Sequence, residues 1–161
     1  MAADSEPSPS ARAVQEALRR LGYADRVLEF DQTTRSAREA AQAIGCRVEQ
    51  IAKSLVFCAR DSGRPILVVA SGKNRVDEAL LARYVGEPIE RPDADYVRAH
   101  TGYAIGGVPP IAHAEAMETY IDRDLLDLEA IWAAAGTPHT VFRLTPEELV
   151  ALTGGRVVAV T

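Results

Sequence analysis

The hydrophobic positions along this chain recur with two periods, which predict helices and short strands in alternation. Val14, Leu18 and Leu21 lie at helical spacing, and Gly22 marks the point where this first helix should end. Further helices are predicted over residues 36–45, 74–86, 93–97, 125–136 and 145–152. Short apolar runs predict strands over residues 26–30, 51–58, 66–69, 117–121, 140–144 and 157–160.

Several predicted helix starts carry residues with capping chemistry. Ser36 is followed three residues later by Glu39, which is the spacing of a capping box. Thr145-Pro146-Glu147-Glu148 adds a proline at the first helical position to the same box. Asn74 is expected to cap the third helix, with Asp77 in its first turn.

The order of the elements predicts the fold class. Asp61-Ser62-Gly63-Arg64 has hairpin-turn chemistry and joins two apolar strands, so these strands should pair antiparallel. Helices and strands mix without a repeating βαβ unit. We therefore expect an α+β fold, a single domain over residues 11–161 with a mixed, mostly antiparallel sheet flanked by helices. The polar, Pro/Ser-rich residues 1–10 should be a disordered tail.

Composition narrows the possible functions. The 161 residues match one domain, and a net charge of −5 argues against nucleic-acid binding driven by overall charge. No apolar run is long enough to span a bilayer and the first ten residues do not resemble a signal peptide, so a cytoplasmic protein without a membrane partner is expected. The cysteines and histidines show no metal-binding spacing, so we predict neither a metal nor another cofactor.

The stretch from Thr101 to His113 concentrates glycine and proline and predicts a shaped loop. Gly106 and Gly107 leave backbone N–H groups uncovered by side chains, while Pro109 and Pro110 stiffen the exit. Such a loop can present amide donors to an oxygen, as an oxyanion hole does, provided that its apolar residues pack. Those residues are Tyr103, Ile105, Val108 and Ile111. A tight turn between two buried strands would give the same pattern.

Lys53 and a group of basic residues are the other candidates for chemistry. Lys53 precedes the apolar strand run and could place a cation at a cleft, although a solvated lysine at a strand edge fits equally well. Ser54 has no neighbouring base, so a serine nucleophile is not expected. A local excess of positive charge could bind a phosphate backbone or simply be solvated. It comprises Arg60, Arg64, Lys73 and Arg75.

Several short motifs, taken in order, resemble the YbaK/EbsC family of aminoacyl-tRNA deacylases, which are related to the editing domain inserted in bacterial prolyl-tRNA synthetase. These are the alanine-rich helix over residues 37–45, QIAKSLVF at 50–57, SGKNRVD at 71–77, TGY at 101–103 and GGVPP at 106–110. The resemblance covers about residues 25–160. It implies a compact mixed α/β fold and a trans-editing hydrolase that removes a wrong small amino acid, such as cysteine or alanine, from tRNA, most often tRNA for proline.

The resemblance also implies roles for individual residues. Lys53 matches the family lysine that is associated with the acceptor end and with activity, and Gly106 and Gly107 match the loop that binds the ester carbonyl. The family is described as using the substrate's own adenosine hydroxyl, which fits the lack of a nucleophile. The substrate-binding residues predicted on this basis are Ser54, Thr101, Gly102, Val108, Pro109 and His139.

The predicted partners are mischarged tRNA and prolyl-tRNA synthetase. The acidic net charge implies only modest affinity for tRNA, which a synthetase partner would supplement. A non-catalytic tRNA- or synthetase-binding regulatory domain with the same fold is the alternative. The hypothesis for His139 is that it covers part of the pocket, and an unchanged rate in His139→Ala would remove it.

Overall fold

The computed structural model describes residues 8–23, 26–31, 34 and 36–161. Its helices are α1 (Pro9–Arg20), α2 (Ala37–Ile44), α3 (Glu78–Val85), α4 (Ala94–Thr101) and α5 (Pro146–Thr153). Its strands are β1 (Val27–Glu29), β2 (Ile51–Ala59), β3 (Pro65–Ser71), β4 (Ile89–Glu90), β5 (Glu118–Asp122), β6 (Ile131–Ala134), β7 (Thr140–Leu144) and β8 (Arg156–Val158). Short 3₁₀ turns occupy Val48–Gln50 and Arg123–Asp127.

The described strands form one eight-stranded mixed sheet in the order β1-β7-β6-β2-β3-β5-β8, with β4 added to one end of β2. The predicted β2–β3 hairpin is present and antiparallel, with Lys53 opposite Ala70. β2 pairs parallel with β6, and β3 pairs parallel with β5. The predicted α+β class with a mixed sheet is therefore confirmed.

Helices cover both faces of the sheet because β2 and β3 are apolar on both sides. Ala52 and Val56 belong to a core shared with buried residues of α1, α4 and α5. Leu55 and Phe57 belong to a second core that contains Leu81 of α3. Side chains alternate along a strand, so Ser54 points to the first face and Lys53 to the second.

One edge of β2 is only partly paired. β6 meets β2 at Ile51 and Ala52, and β4 meets it at Cys58 and Ala59. Between them, no described strand pairs with residues 53–57 on the side opposite β3. The sheet therefore splits along this segment and leaves room for a pocket.

Local capping chemistry predicted several helix ends correctly. The Ser36 side chain accepts from the Glu39 N–H, and Thr145 and Glu148 form the predicted reciprocal box. Asp93 caps α4 as expected, although that helix extends to Thr101.

Three predictions about helices were wrong. Residues 125–136 are not a helix, because Ile131–Ala134 pairs with β2 and β7 as strand β6, and long-range pairing overrides the local apolar spacing. α3 begins at Glu78 with Asp77 as its cap, so Asn74 does not cap it. Pro9 and Ser10 of the expected disordered tail are helical, capped by Ser8, while residues 1–7 lie outside the described residues.

None of the helices that the structure describes is both long and apolar enough to cross a membrane.

Candidate active site

A pocket of about 390 Å³ opens along the unpaired edge of β2. Residues 51–57 of β2 line it from one side, and β6 with the turn that leads to β7 lines it from the other. The start of α2, the segment before α4 and the glycine-containing loop over residues 102–113 complete the walls. The split in the sheet thus becomes a cleft that elements from distant parts of the sequence enclose.

Lys53 brings a cation to this pocket. Burial lowers the pKa of the Lys53 ammonium, and the positive charge of Arg91 lowers it further, while the carboxylate of Asp122 opposes both effects. The Lys53 amine forms no hydrogen bond or ion pair with any residue that the structure describes. A partly desolvated ammonium without a fixed partner is suited to bind an electron-rich group of a ligand.

Asp122 is held in place by other groups and does not line the pocket. It is 1 % exposed and accepts hydrogen bonds from the Ser71 N–H at 3.0 Å and the Asn74 amide at 2.8 Å. Asn74 also donates to Asp124 at 2.8 Å. These contacts explain why Asn74 does not act as a helix cap, and they make Asp122 a fixed negative charge behind Lys53.

The loop over residues 102–113 approaches the turn between β6 and β7 very closely. A Cβ on Gly107 would lie 2.8 Å from the Cα of Thr137 and 3.0 Å from the carbonyl of Gly136. Gly106 has a φ of +93° and lines the pocket, which Gly107 does not. Both glycines are therefore needed, one for its backbone conformation and the other for close packing.

The prediction that both glycines present free amide donors is wrong for Gly107. Its N–H donates to the carbonyl of Ala104 at 3.0 Å. The N–H groups of Gly106 and Val108 have no hydrogen-bond partner among the described residues, and both residues line the pocket. These two groups are the donors that the loop can offer to a ligand oxygen.

Two side chains brace the loop. The Tyr103 hydroxyl donates to the Ala112 carbonyl at 2.7 Å, and the His113 Nε2 lies 2.7 Å from the Pro109 carbonyl. Burial lowers the pKa of His113, which favours a neutral ring that donates from Nε2. Tyr103, Val108 and Ile111 are buried as predicted, but Ile105 is 60 % exposed. A loop braced in this way can hold its donors in a fixed position.

The predicted substrate-binding residues separate into two groups. Ser54 and Val108 line the pocket. The others do not, and three of them belong to the frame of the loop. Thr101 is fully buried and donates to Val97, Gly102 ends α4 with a φ of +87°, and Pro109 is buried. The imidazole of His139 lies 3.5 Å from the carboxylate of Glu29, although its neighbours Thr137 and Pro138 do line the pocket.

Ser54 has an unusual hydroxyl. Its Oγ is the only buried side-chain oxygen or nitrogen without a hydrogen-bond partner among the described residues. The other hydroxyls of the described lining residues are hydrogen-bonded, namely those of Thr34, Ser36, Thr137 and Thr140. A buried polar group without a hydrogen-bond partner lowers the stability of the folded protein. No hydrogen bond to a described residue fixes the rotamer of the Ser54 hydroxyl.

Replacing Ser54 with alanine is expected to raise the free energy of unfolding by about 1 kcal/mol, because the unpaired hydroxyl is removed at nearly constant volume. Urea denaturation would measure this change. The matched control is Ser62→Ala in the β2–β3 turn, where the hydroxyl contacts Glu87 at 3.1 Å and its loss should not stabilise the protein. A less stable Ser54→Ala variant would show that the hydroxyl is paired in solution.

The four predicted tRNA-binding residues do not form one patch. Arg64 is paired with Glu87 and Glu118, and Arg60 lies 3.6 Å from Glu90. Lys73 and Arg75 follow the other end of β3. Because β3 has seven residues, they lie about 20 Å from Arg64 along the strand. They are exposed, have no ion-pair partner among the described residues, and lie at the Lys53 end of the hairpin.

Arg91 and Trp132 are among the lining residues that the sequence analysis missed. Arg91 precedes α4 and had no motif around it, whereas Trp132 was assigned to a helix that does not form. The helical spacing around Trp132 concealed its strand, and only its pairing with Ile51 shows that it lies beside the pocket.

The lining residues that the structure describes include no histidine, cysteine, aspartate or glutamate. The described part of the lining thus combines two cations, backbone donors and apolar walls. This arrangement can bind and polarise an ester, but it does not offer a nucleophile with an adjacent base.

A family model described as the aminoacyl-tRNA editing domain matches residues 31–152, which is most of the chain. The protein belongs to the aminoacyl-tRNA editing domain family. The resemblance drawn from the sequence motifs is confirmed by this match.

Relatives of this editing domain support the assignment. This chain is 34% identical over 124 residues to YwhH of Bacillus subtilis (strain 168), and the alignment covers 76% of this chain and 78% of YwhH. It is 30% identical over 127 residues to EbsC of Enterococcus faecalis, covering 78% of this chain and 77% of EbsC. The name of EbsC provisionally describes it as a Cys-tRNA(Pro)/Cys-tRNA(Cys) deacylase.

A solved structure confirms the editing-domain fold. A crystal structure provisionally described as a trans-editing enzyme for prolyl-tRNA synthetase superposes with a TM-score of 0.91 at 48% identity. The superposition covers 97% of this chain and 99% of the other.

Proposed function

We propose that this protein is a trans-editing aminoacyl-tRNA deacylase. It hydrolyses the ester that joins a mischarged small amino acid, such as cysteine or alanine, to the terminal adenosine of a tRNA, with tRNA for proline as the expected carrier. The observation that carries the proposal is the convergence of Lys53 and Gly106 on one pocket of an editing domain.

The size of the pocket is consistent with this substrate. A volume of about 390 Å³ lies near the lower end of the range for ligand pockets, so it suits an aminoacyl nucleoside and leaves the rest of a tRNA outside. Val97 and Val108 contribute rigid apolar surface. Since one methylene is worth only about 1–3 kcal/mol, exclusion of proline has to come from the shape of these walls.

The chemistry follows from the groups at hand. A water molecule adds to the ester carbonyl, and the N–H of Gly106 and the Lys53 ammonium stabilise the resulting oxyanion. The bond from the carbonyl carbon to the ribose oxygen then breaks, the ribose oxygen takes up the proton that the added water gives up, and free amino acid and uncharged tRNA are released. An aminoacyl ester is already activated, so orientation of the water and of the ester supplies much of the rate enhancement.

The body of the tRNA needs a second area of contact. Lys73 and Arg75 are the exposed cations at the Lys53 end of the β2–β3 hairpin, and they replace the four-residue patch expected from the sequence. Two cations on a chain with a net charge of −5 give modest affinity. A prolyl-tRNA synthetase partner that delivers the tRNA would supply the remainder.

The test is a deacylation assay with tRNA for proline charged with alanine, serine, cysteine or proline. We expect at least one mischarged species to be hydrolysed far above its spontaneous rate while prolyl-tRNA is spared. If every ester decays at the spontaneous rate, the enzyme proposal fails. Binding of uncharged tRNA or of the synthetase without hydrolysis would then support the non-catalytic alternative.

A further inference from the structure

Arg91 contributes a second cation to the pocket, and neither the motifs nor the family resemblance pointed to it. It lies between β4 and α4, and its side chain is 59 % exposed. The guanidinium lies over the ring of Phe57 at 5.8 Å, while its Nε contacts a carboxylate oxygen of Glu78 at 3.0 Å. These two contacts orient the guanidinium at the rim of the pocket.

The charges of the described lining residues are unbalanced. Lys53 and Arg91 both line the pocket, and no carboxylate does. The two cations are close enough for Arg91 to disfavour the charged form of Lys53. Binding of an anion between or beside them would relieve this repulsion, so the pocket favours a ligand that carries negative charge near the rim.

An aminoacyl adenosine at the end of a tRNA carries one kind of anion near the scissile ester. The ester and the base are uncharged, whereas the phosphodiester on the 5′ oxygen of the terminal nucleoside is an anion. We propose that Arg91 forms a subsite for this phosphate, an inference that rests on the proposed function. Lys53 lines the same pocket from β2, is less exposed than Arg91, and is the cation that the proposed function assigns to the ester.

Arginine has the geometry for this role. Its planar guanidinium can donate two parallel hydrogen bonds to phosphate oxygens, and the Nε contact with Glu78 leaves the two terminal nitrogens without a described partner. The Glu78 carboxylate is itself 39 % exposed, so the ion pair is a weak surface interaction that orients Arg91 without neutralising it in a buried site.

The experiment compares two non-hydrolysable probes that differ only in the phosphate. These are 3′-alanylamino-3′-deoxyadenosine and the same compound with a 5′-phosphate, titrated by calorimetry into the whole protein. For the wild type, the phosphate should tighten binding by about tenfold, the magnitude typical of a hydrogen bond to a charged group. In Arg91→Ala the phosphate should have almost no effect, and Arg91→Lys should restore part of it.

Two further variants sharpen the result. Glu78→Gln removes the carboxylate that competes for the guanidinium and should tighten binding of the phosphorylated probe by about twofold, the scale of a surface ion pair. Arg98→Ala removes an exposed arginine of α4 outside the pocket lining and should preserve the tenfold effect of the phosphate seen in the wild type.

The outcomes separate this inference from the proposed function. If the mischarged tRNAs are hydrolysed but Arg91→Ala weakens the binding of both probes equally, or of neither probe, the phosphate subsite is refuted. The deacylase proposal then stands. If neither probe binds and no ester is hydrolysed, both proposals are refuted.

Discussion

Replacing Lys53 with alanine is expected to lower kcat/KM for the hydrolysed mischarged tRNA by at least about 100-fold, the scale found when one group that stabilises an oxyanion is removed. The reason is geometric. Lys53 brings an ammonium group to the pocket and has no ion-pair partner among the residues that the structure describes. It lies on the unpaired edge of β2, where the ester would bind. The measurement is steady-state deacylation with the species identified in the tRNA panel.

The same substitution should leave the protein folded. Burial disfavours the charged form of Lys53, so its pKa in the folded protein lies below the reference value of 10.5. Between these two pKa values the unfolded chain binds more protons than the folded one, and the contribution of Lys53 to stability therefore rises with pH across this window. In Lys53→Ala this increase of the free energy of unfolding with pH should be absent. Urea denaturation of both proteins at neutral and alkaline pH would detect the difference.

The control for Lys53→Ala is Arg83→Ala, which removes a cation from the exposed side of α3 and should retain the wild-type rate. If Lys53→Ala keeps more than a third of the wild-type kcat/KM while remaining folded, Lys53 does not bear the role proposed for it.

Gly107→Ala is expected to have the second large effect. It should lower the free energy of unfolding by about 3 kcal/mol, at the upper end for overpacking, and kcat/KM by more than about tenfold. The new Cβ would lie 2.8 Å from the Thr137 Cα and 3.0 Å from the Gly136 carbonyl. These are backbone atoms that cannot rotate away, so the loop over residues 102–113 must move and carry the Gly106 N–H with it.

Gly106→Ala is the matched comparison for Gly107→Ala. A Cβ on Gly106 meets only Pro138, at 4.0 Å, but the residue has a φ of +93°. We expect a loss of about 1 kcal/mol from backbone strain alone. Urea denaturation of both variants would distinguish steric overlap from strain. A Gly107→Ala variant as stable as the wild type would show that the contact between the two loops is not close in solution.

Features that depend on neighbours in the sequence could be predicted. Helix caps such as Ser36 and Thr145 act within one turn, and the turn chemistry between β2 and β3 acts across four residues. Gly106, Gly107 and Lys53 were identified because their residue types and order are unusual. For Gly107 the reason was only half right, since close packing against Thr137 requires the glycine and its N–H is already bonded.

Features that depend on distant pairing could not be predicted. The apolar spacing around Trp132 fits a helix, and only the edges offered by β2 and β7 make the segment a strand. Arg60 and Lys73 are close in sequence, yet β3 separates them. Conversely, Lys53 and Arg91 meet at the pocket because β4 and the chain that follows it return to β2.

The sequence by itself determined the family, the α+β class, most helix ends and the two glycines of the loop, because periodicity, caps and backbone constraints are local properties. The tertiary structure decided where the pocket lies and which groups enter it. The physical reason is that the unpaired edge of β2 results from where β6 and β4 stop pairing. The charges that meet at that edge come from segments whose approach is set by packing of the whole sheet.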